Sequence, residues 1–249
     1  MEKPNLCITL QGPYRGYWKC WACGKWGKLT EVDLKKLGFV EVKQEVHESI
    51  DFVQLNKELQ LNSYLSDNID AIKLLSEKLQ VSEHTLRDFG IGLKDKAYSF
   101  PCYDGQVSIC GIQYRDIDGN KWAERGSKIG VFLPRFSSTT GDIFLPEGLS
   151  DTMILYDMGF NVIGRYNCDS CADIILEQLQ SCDNKDRRLI VLADSDEAGI
   201  NGAVKLRNIL KAYGYVAGYL SAPSPFNDIR EWVQREGKSR AKTVLEAIL

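Results

Sequence analysis

Leu189-Ile190-Val191-Leu192-Ala193-Asp194-Ser195-Asp196-Glu197-Ala198-Gly199 runs five apolar residues straight into an acidic turn. A strand with one face in water would alternate apolar and polar side chains. An unbroken apolar run therefore predicts a strand buried on both faces, the habit of parallel sheets. The same arrangement stands upstream, where an apolar strand over 143–146 runs into Glu147-Gly148-Leu149-Ser150-Asp151. Two more strands are expected at 161–165 and 215–220, with helices at about 150–159, 170–182, 197–213 and 228–236. Strand and helix alternating from 142 onward predict an α/β domain over 141–236, a Rossmann-like parallel sheet with helices on both faces. A last helix is expected over 237–249.

Three acidic sites fall just past the expected strands: Glu147 with Asp151, Asp194 with Asp196, and Asp228 a few residues beyond the fourth strand. In doubly wound sheets ligands bind outside the carboxyl ends of the strands, where strand order reverses. These carboxylates should therefore converge despite their separation in the chain. Converging carboxylates repel, which raises their pKa values unless a cation sits among them. An all-oxygen donor set suits Mg²⁺ or Mn²⁺ shared with substrate phosphates. The plainer alternative is that each acid is a solvated loop residue or a helix N-cap. Gly148 and Gly199 would let backbone approach closely.

Glu147-Gly148-x-x-Asp151 and Asp194-x-Asp196-x-Ala198-Gly199 resemble the TOPRIM domain, shared by bacterial-type primases, type IA and II topoisomerases and some nucleases. The pair is similar to the primase branch in particular. So is Pro223-x-x-x-Asn227-Asp228-x-x-Glu231-Trp232, although primases usually show a Lys-Asp-Pro-Asp-type sequence there and this chain has Ile229-Arg230 in place of Pro-Asp. The resemblance implies a TOPRIM fold with Glu147 at the chemical centre and Asp194 and Asp196 holding the metal. Asp151 and Asp228 would support them or hold a second ion.

Within a basic segment over 94–140, residues 97–135 read as short strands, with turn signals at Asp104-Gly105 and Asp118-Gly119-Asn120. This small basic α+β segment resembles the subdomain that precedes TOPRIM in primases and phage primase-helicases. Arg115, Lys121, Arg125 and Lys128 cluster there, with Tyr114 and Trp122 among them. Bases interleaved with aromatics suit a single-stranded template, through phosphate neutralisation and stacking. Lys128, flanked by Gly126 and Gly130, would hold an incoming triphosphate; the alternative is a solvated hairpin face. Residues 41–93 are expected to be helical: Leu55, Leu59, Leu65, Ile69, Ile72, Leu75 and Leu79 recur near helical spacing, and Ser82 caps a helix over 83–89.

Residues 1–40 are rich in Gly, Trp and Cys and too short to make a core unaided. Trp18-Lys19-Cys20-Trp21-Ala22-Cys23-Gly24 is a Cys-x-x-Cys knuckle similar to the second half of the primase zinc ribbon. Structural Zn²⁺ takes four ligands, and upstream stands only Cys7. Three readings stay open: a truncated ribbon, a zinc site of Cys7, Cys20 and Cys23 with a fourth ligand such as His47, or a knuckle without zinc. Trp18, Trp21 and Trp26 either touch template bases or fill the knuckle. Cys168-Asp-Ser-Cys171 is read as incidental, and lone His84 falls inside an expected helix.

The 249 residues carry 31 bases against 34 acids, a formal charge of -3, with 44% apolar and 26% charged residues. That is a globular composition, and it excludes only a uniformly basic nucleic-acid binder. By segment the charge is +4 over 1–40, -5 over 41–93, +2 over 94–140 and -4 over 141–249. Met1 to Pro4 are not followed by the apolar core of a signal peptide, and the run 189–193 is far short of the roughly 20 residues that span a bilayer. The expectation is a cytoplasmic protein without a membrane partner, its eight cysteines thiols or metal ligands. There is no Gly-x-x-x-x-Gly-Lys-Ser/Thr loop, so a replicative helicase would be a separate partner. The expected activity is that of a DNA primase, a nucleotidyltransferase making short RNA primers on single-stranded DNA with Mg²⁺ and nucleoside triphosphates. The compact length suits a phage or mobile element. Alternatives are a TOPRIM nuclease and a non-catalytic single-strand-binding replication accessory; a topoisomerase would need a separate domain with a nucleophilic tyrosine.

Overall fold

The computed structural model describes residues 6–10, 16–20, 22–38, 50–65, 68–168, 170–181 and 186–248. Trp21, His47 and Cys182 lie outside the described residues. The chain divides into two compact units, Met1–Ser49 and Ile50–Leu249.

In the first unit β1 (Leu6–Ile8), β2 (Tyr17–Cys20) and β3 (Trp26–Lys28) pair antiparallel in chain order. A short helix, α1 (Glu31–Lys36), follows a capping box: Asp33 N–H donates to the Thr30 hydroxyl, and Thr30 N–H donates to the Asp33 carboxylate. Among the described residues of this unit Leu34 is the one fully buried large apolar side chain. Trp26 is 72% exposed, so it does not fill a core.

The second unit starts with three helices, α2 (Phe52–Ser63), α3 (Ile69–Leu79) and α4 (Glu83–Asp88). Ser82 caps α4, its hydroxyl accepting from Thr85 N–H at 3.1 Å. An antiparallel meander follows: β4 (Gly92–Lys94), β5 (Ala97–Tyr103), β6 (Ile109–Arg115) and β7 (Lys121–Ala123). Helix α2 covers one face of it, where Leu59 packs with Ala97, Ile112 and Tyr114.

The rest of the unit alternates strand and helix as its apolar runs predict: β8 (Ile143–Leu145), α5 (Leu149–Asp157), β9 (Asn161–Val162), α6 (Ala172–Ser181), β10 (Leu189–Ala193), α7 (Glu197–Ala212), β11 (Ala217–Ser221), α8 (Ile229–Glu236) and α9 (Lys238–Ile248). The four strands form one parallel sheet in the order β11-β10-β8-β9. Every residue of β8 and β10 is buried, and successive side chains serve opposite faces. Leu189, Val191 and Ala193 pack with Ile175, Leu179 and Leu206 of the α6 and α7 layer. Ile190 and Leu192 pack on the other side with Met153, Trp232 and Leu245. Each such fully buried side chain stabilises the fold by roughly 1.5–3 kcal/mol, which is why the run tolerates no polar break.

Asp157, at the end of α5, joins three helices. It accepts from the N–H (2.9 Å) and hydroxyl (2.6 Å) of Ser82 and the hydroxyl of Thr85 (2.6 Å), and it pairs with Lys238. Burial alone would raise this carboxyl, but those donors overcome it and hold the pKa at about 2.

Candidate active site

The chain leaves β8 for β9 on one side and then crosses to β10 on the other. Strand order therefore reverses between β8 and β10, the position where a crevice opens in sheets of this kind. Glu147 follows β8 and Asp194 follows β10. Both line a cavity of about 230 Å³, together with Asp151 in the first turn of α5 and Asp228 before α8. Gly148 turns the chain into α5 at φ 74°, a left-handed conformation that side chains resist. Gly199 lets the first turn of α7 pack on Asp194: a Cβ there would stand 2.7 Å from the Asp194 carbonyl oxygen.

The carboxylates disturb one another as converging charges must. Burial, then the charges of Asp228 and Asp194, push Asp151 up to about 8. Burial, then Glu147, Asp228 and Asp196, push Asp194 up to about 6. Oε2 of Glu147 is buried without a hydrogen-bond partner. A buried acceptor among repelling acids is a place for a hard cation, and the donors are all oxygen. Among the described residues no three His, Cys, Asp or Glu side chains are placed so that they could together hold a metal ion. An ion here would take part of its shell from water or substrate oxygens, as Mg²⁺ commonly does.

Asp196 and Asp228 both cap helices. Asp196 accepts from Gly199 N–H at 2.7 Å at the start of α7, and it does not line the cavity. Asp228 accepts from Glu231 N–H at 2.6 Å at the start of α8 and lines the cavity as well. The N-cap alternative thus describes Asp196, while Asp228 serves in both ways.

Arg165 is a further residue of this site, and motif reasoning passes over it. It is fully buried beneath the acids. Its guanidinium donates to the carbonyls of Leu145 (3.2 Å), Leu192 (2.6 Å) and Cys168 (3.3 Å). It thereby ties the ends of β8 and β10 and sets a positive charge near Glu147 and Asp194; burial lowers its pKa, and Glu147 and Asp194 oppose that by favouring the charged form. An arginine ending an otherwise apolar strand segment was the available sign.

The opposite wall comes from the meander. Arg115 and Lys121 are direct partners across β6 and β7, on the face that also carries Gln113 and Phe100. All four line the cavity. Burial, then Arg115 and Arg230, lower the Lys121 pKa. Arg125 and Lys128 lie beyond β7, exposed, and neither lines the cavity. Tyr114 belongs to the other face. It is buried, donates to the Glu124 carboxylate at 2.7 Å, and carries the Lys94 ammonium 5.0 Å over its ring. It is therefore a core residue and offers no ring to a base, contrary to the interleaved reading. Trp122 stacks on it at 5.7 Å and stays 45% exposed. Arg230, which the sequence showed only as a lost acid, lines the cavity too, and its backbone N–H donates to Asp151 at 3.1 Å.

In the first unit Cys20 and Cys23 form a knuckle. Cys20 sulfur accepts from the Cys23 backbone, the Cys23 thiol and the Ala22 backbone, which lowers its pKa. Cys7 pairs with Lys19 across β1 and β2, and Leu6 pairs with Cys20. Neighbouring residues of a strand point to opposite faces, so Cys7 and Cys20 face opposite sides of the ribbon.

No family model matches the chain, and no curated protein matches it. Solved structures do. The zinc-binding and RNA polymerase domains of the Aquifex aeolicus primase superpose with a TM-score of 0.60 at 14% identity, covering 99% of this chain and 76% of that one. A DnaG primase catalytic domain bound to single-stranded DNA gives 0.59 at 16%, covering 78% and 76%. The primase fragment of the bacteriophage T7 primase-helicase gives 0.51 at 18%, covering 94% and 91%. The chain has the TOPRIM-like α/β fold of these primase cores. Among the described residues no helix is long and apolar enough to cross a membrane.

Proposed function

We propose that this chain is a primase-type nucleotidyltransferase, extending or initiating a short RNA primer on single-stranded DNA from nucleoside triphosphates. The observation that carries the reading is one cavity with two walls of opposite charge: Glu147, Asp151, Asp194 and Asp228 facing Arg115 and Lys121. Acids alone would suit hydrolysis of a phosphodiester; acids opposite fixed cations suit a substrate that brings a triphosphate to a metal. The unpaired Glu147 oxygen and the all-oxygen donors fit Mg²⁺ or Mn²⁺, with Glu147 and Asp194 as its holders, water and substrate oxygens completing the shell, and Asp151 and Asp228 beside them. When bound, the ion supplies Lewis acidity toward the attacking 3′-hydroxyl and the leaving pyrophosphate.

The remaining work falls to the chain itself. Lys121 and Arg115 neutralise the phosphates and orient them toward the acids. Glu147, whose buried oxygen has no hydrogen-bond partner, would take the hydroxyl proton. Arg165 fixes the spacing of the two strand ends that carry Glu147 and Asp194. Arg125, Lys128 and Trp122 sit outside the cavity on the same subdomain, where a template strand would run. The knuckle of Cys20 and Cys23 would hold Zn²⁺ only with ligands beyond these two.

The test is primer synthesis on single-stranded DNA with labelled triphosphates and Mg²⁺. Dinucleotide formation that disappears in Glu147→Gln and Asp194→Asn is expected. Phosphodiester cleavage without triphosphates, with no primer made on varied templates, would replace this reading by a nuclease.

A further inference from the structure

A second cavity, of about 320 Å³, adjoins the first and shares Phe100, Arg115, Leu149, Ser150 and Arg230 with it. Its inner wall is core: Leu75, Leu79, Tyr98, Phe100 and Met153 are each at most 5% exposed. Its rim is polar and charged, with Lys78 and Gln234 exposed and Asp116 half-buried. Arg115 and Arg230 stand between the two cavities. They are close enough that burial, then the charge of Arg230, lower the Arg115 pKa, with Asp116 opposing.

The acids near that pair act on it only through space: Asp116 favours the charged form of Arg115, and the charge of Arg230 works against the rise of the Asp151 pKa. Among the described residues neither arginine is in an ion pair. Arg115 bonds a neutral partner, the Ser150 hydroxyl, at 3.2 Å. The nearby acid, Asp116, is turned to Asn120, accepting from its side chain at 2.7 Å and its backbone at 2.9 Å. Asp151 takes only the backbone N–H of Arg230. Helix α5, of nine residues, begins beside the pair at Gly148, with no side chain capping it. Two adjacent guanidiniums at an open helix N-terminus make a phosphate-binding arrangement.

We infer that Arg115 and Arg230 form a phosphate subsite whose ligand is a nucleotide, with its base or sugar lodged in the apolar second cavity. The phosphate chemistry alone would equally suit a template backbone. The size decides: a run of template needs room for several nucleotides, whereas this cavity is small and floored by buried core residues. Its volume lies at the small end of ligand pockets, which start at roughly 300 Å³, and so it fits one base. The inference deepens the proposed function, naming where a nucleotide is held beyond the acidic wall, and it rests on that reading only for the identity of the nucleotide as a substrate. Arg230 is then a binding residue in its own right, occupying the place where the family pattern has an acid.

Binding is measured by calorimetry in EDTA, so that the acids contribute no metal bridge. The probes are ATP, inorganic triphosphate and a short oligodeoxythymidylate. Wild type should bind ATP, and Arg230→Gln and Arg115→Gln should each weaken it about tenfold, the loss of one charge-assisted contact. Arg235→Gln, an exposed arginine of the same helix paired with Glu231, should leave it unchanged. Gln234→Trp, which plugs the rim without touching the core, should weaken ATP and spare inorganic triphosphate. Unaltered ATP binding in Arg230→Gln overturns the subsite, and equal effects of Gln234→Trp on both probes overturn the placement of the base. Loss of oligonucleotide binding alone assigns the pair to the template instead. A chain that makes no primer but passes these binding tests would overturn the proposed function and leave the subsite standing.

Discussion

The acidic wall of the cleft hangs from the ends of a parallel sheet, whereas the basic wall is one face of an antiparallel meander. Glu147 and Asp194 are placed by where two buried strands stop, and the sheet's order does the rest. Arg115 and Lys121 are placed by register, because alternate residues of β6 and β7 face the cleft and the others face α2. The first rule makes neighbours of residues that end strands. The second separates residues that are adjacent in the chain, sending Arg115 to the cleft and Tyr114 to the core. Position just past a strand end is therefore a good guide to the acidic wall, whereas clustering in sequence is a poor guide to the basic wall.

The largest effect should come from the acids. Glu147→Gln and Asp194→Asn are each expected to cut primer synthesis by a factor of about 10³, the loss of a group that acts at the reacting atoms, with the unfolding midpoint held. More than a tenth of wild-type activity in either would break the assignment of that wall. Next comes the register argument. Lys121→Ala should lower kcat/KM about 10- to 100-fold, as loss of a charged phosphate contact does. Arg125→Ala and Lys128→Ala should stay within about threefold by the same reckoning. Steady-state kinetics with varied triphosphate decides, and the reverse order would show that the exposed turn holds the nucleotide.

A smaller effect lies outside the cleft. The native pKa of Asp157 is depressed to about 2 from its ordinary 3.8. Its contribution is thus present above the unfolded value and lost as pH falls through the native one. Asp157→Asn should cost about 2 kcal/mol at neutral pH. The gap between variant and wild type should close between about pH 4 and pH 2, as chemical denaturation at each pH would record. Asp151 has the opposite sign, its pKa raised to about 8 from 3.8. Ionising it in the fold costs stability as pH rises toward that value. Asp151→Asn should therefore stabilise the protein in EDTA at pH 8 by about 1 kcal/mol, after relaxation and water entry recover most of the burial cost. If thermal melts show the variant destabilised there, burial and the neighbouring carboxylates do not hold Asp151 above its ordinary value.

Much of this was legible beforehand. The run 189–193 fell where β10 is, and the acidic turns after 143–146 and 189–193 proved to share a cavity because strand ends in a parallel sheet lie side by side. Arg165 and Arg230 were not legible as site residues. Arg165 matters through carbonyls at the ends of two other strands, and Arg230 through cavities it shares with a strand more than 100 positions away. The ribbon of the first unit shows the same limit, since the facing of Cys7 depends on pairing that spacing does not reveal.

By itself the sequence determined the α/β class, the order of strands and helices and the acidic turns that follow the strands. Those depend on local periodicity and on burial of continuous apolar runs, which each segment carries within itself. Only the tertiary structure decided which cations face the acids, which acids are helix caps, and that two arginines from distant elements stand together, neither of them in a direct ion pair among the described residues. Those are consequences of strand order and register, and no stretch of the chain holds them alone.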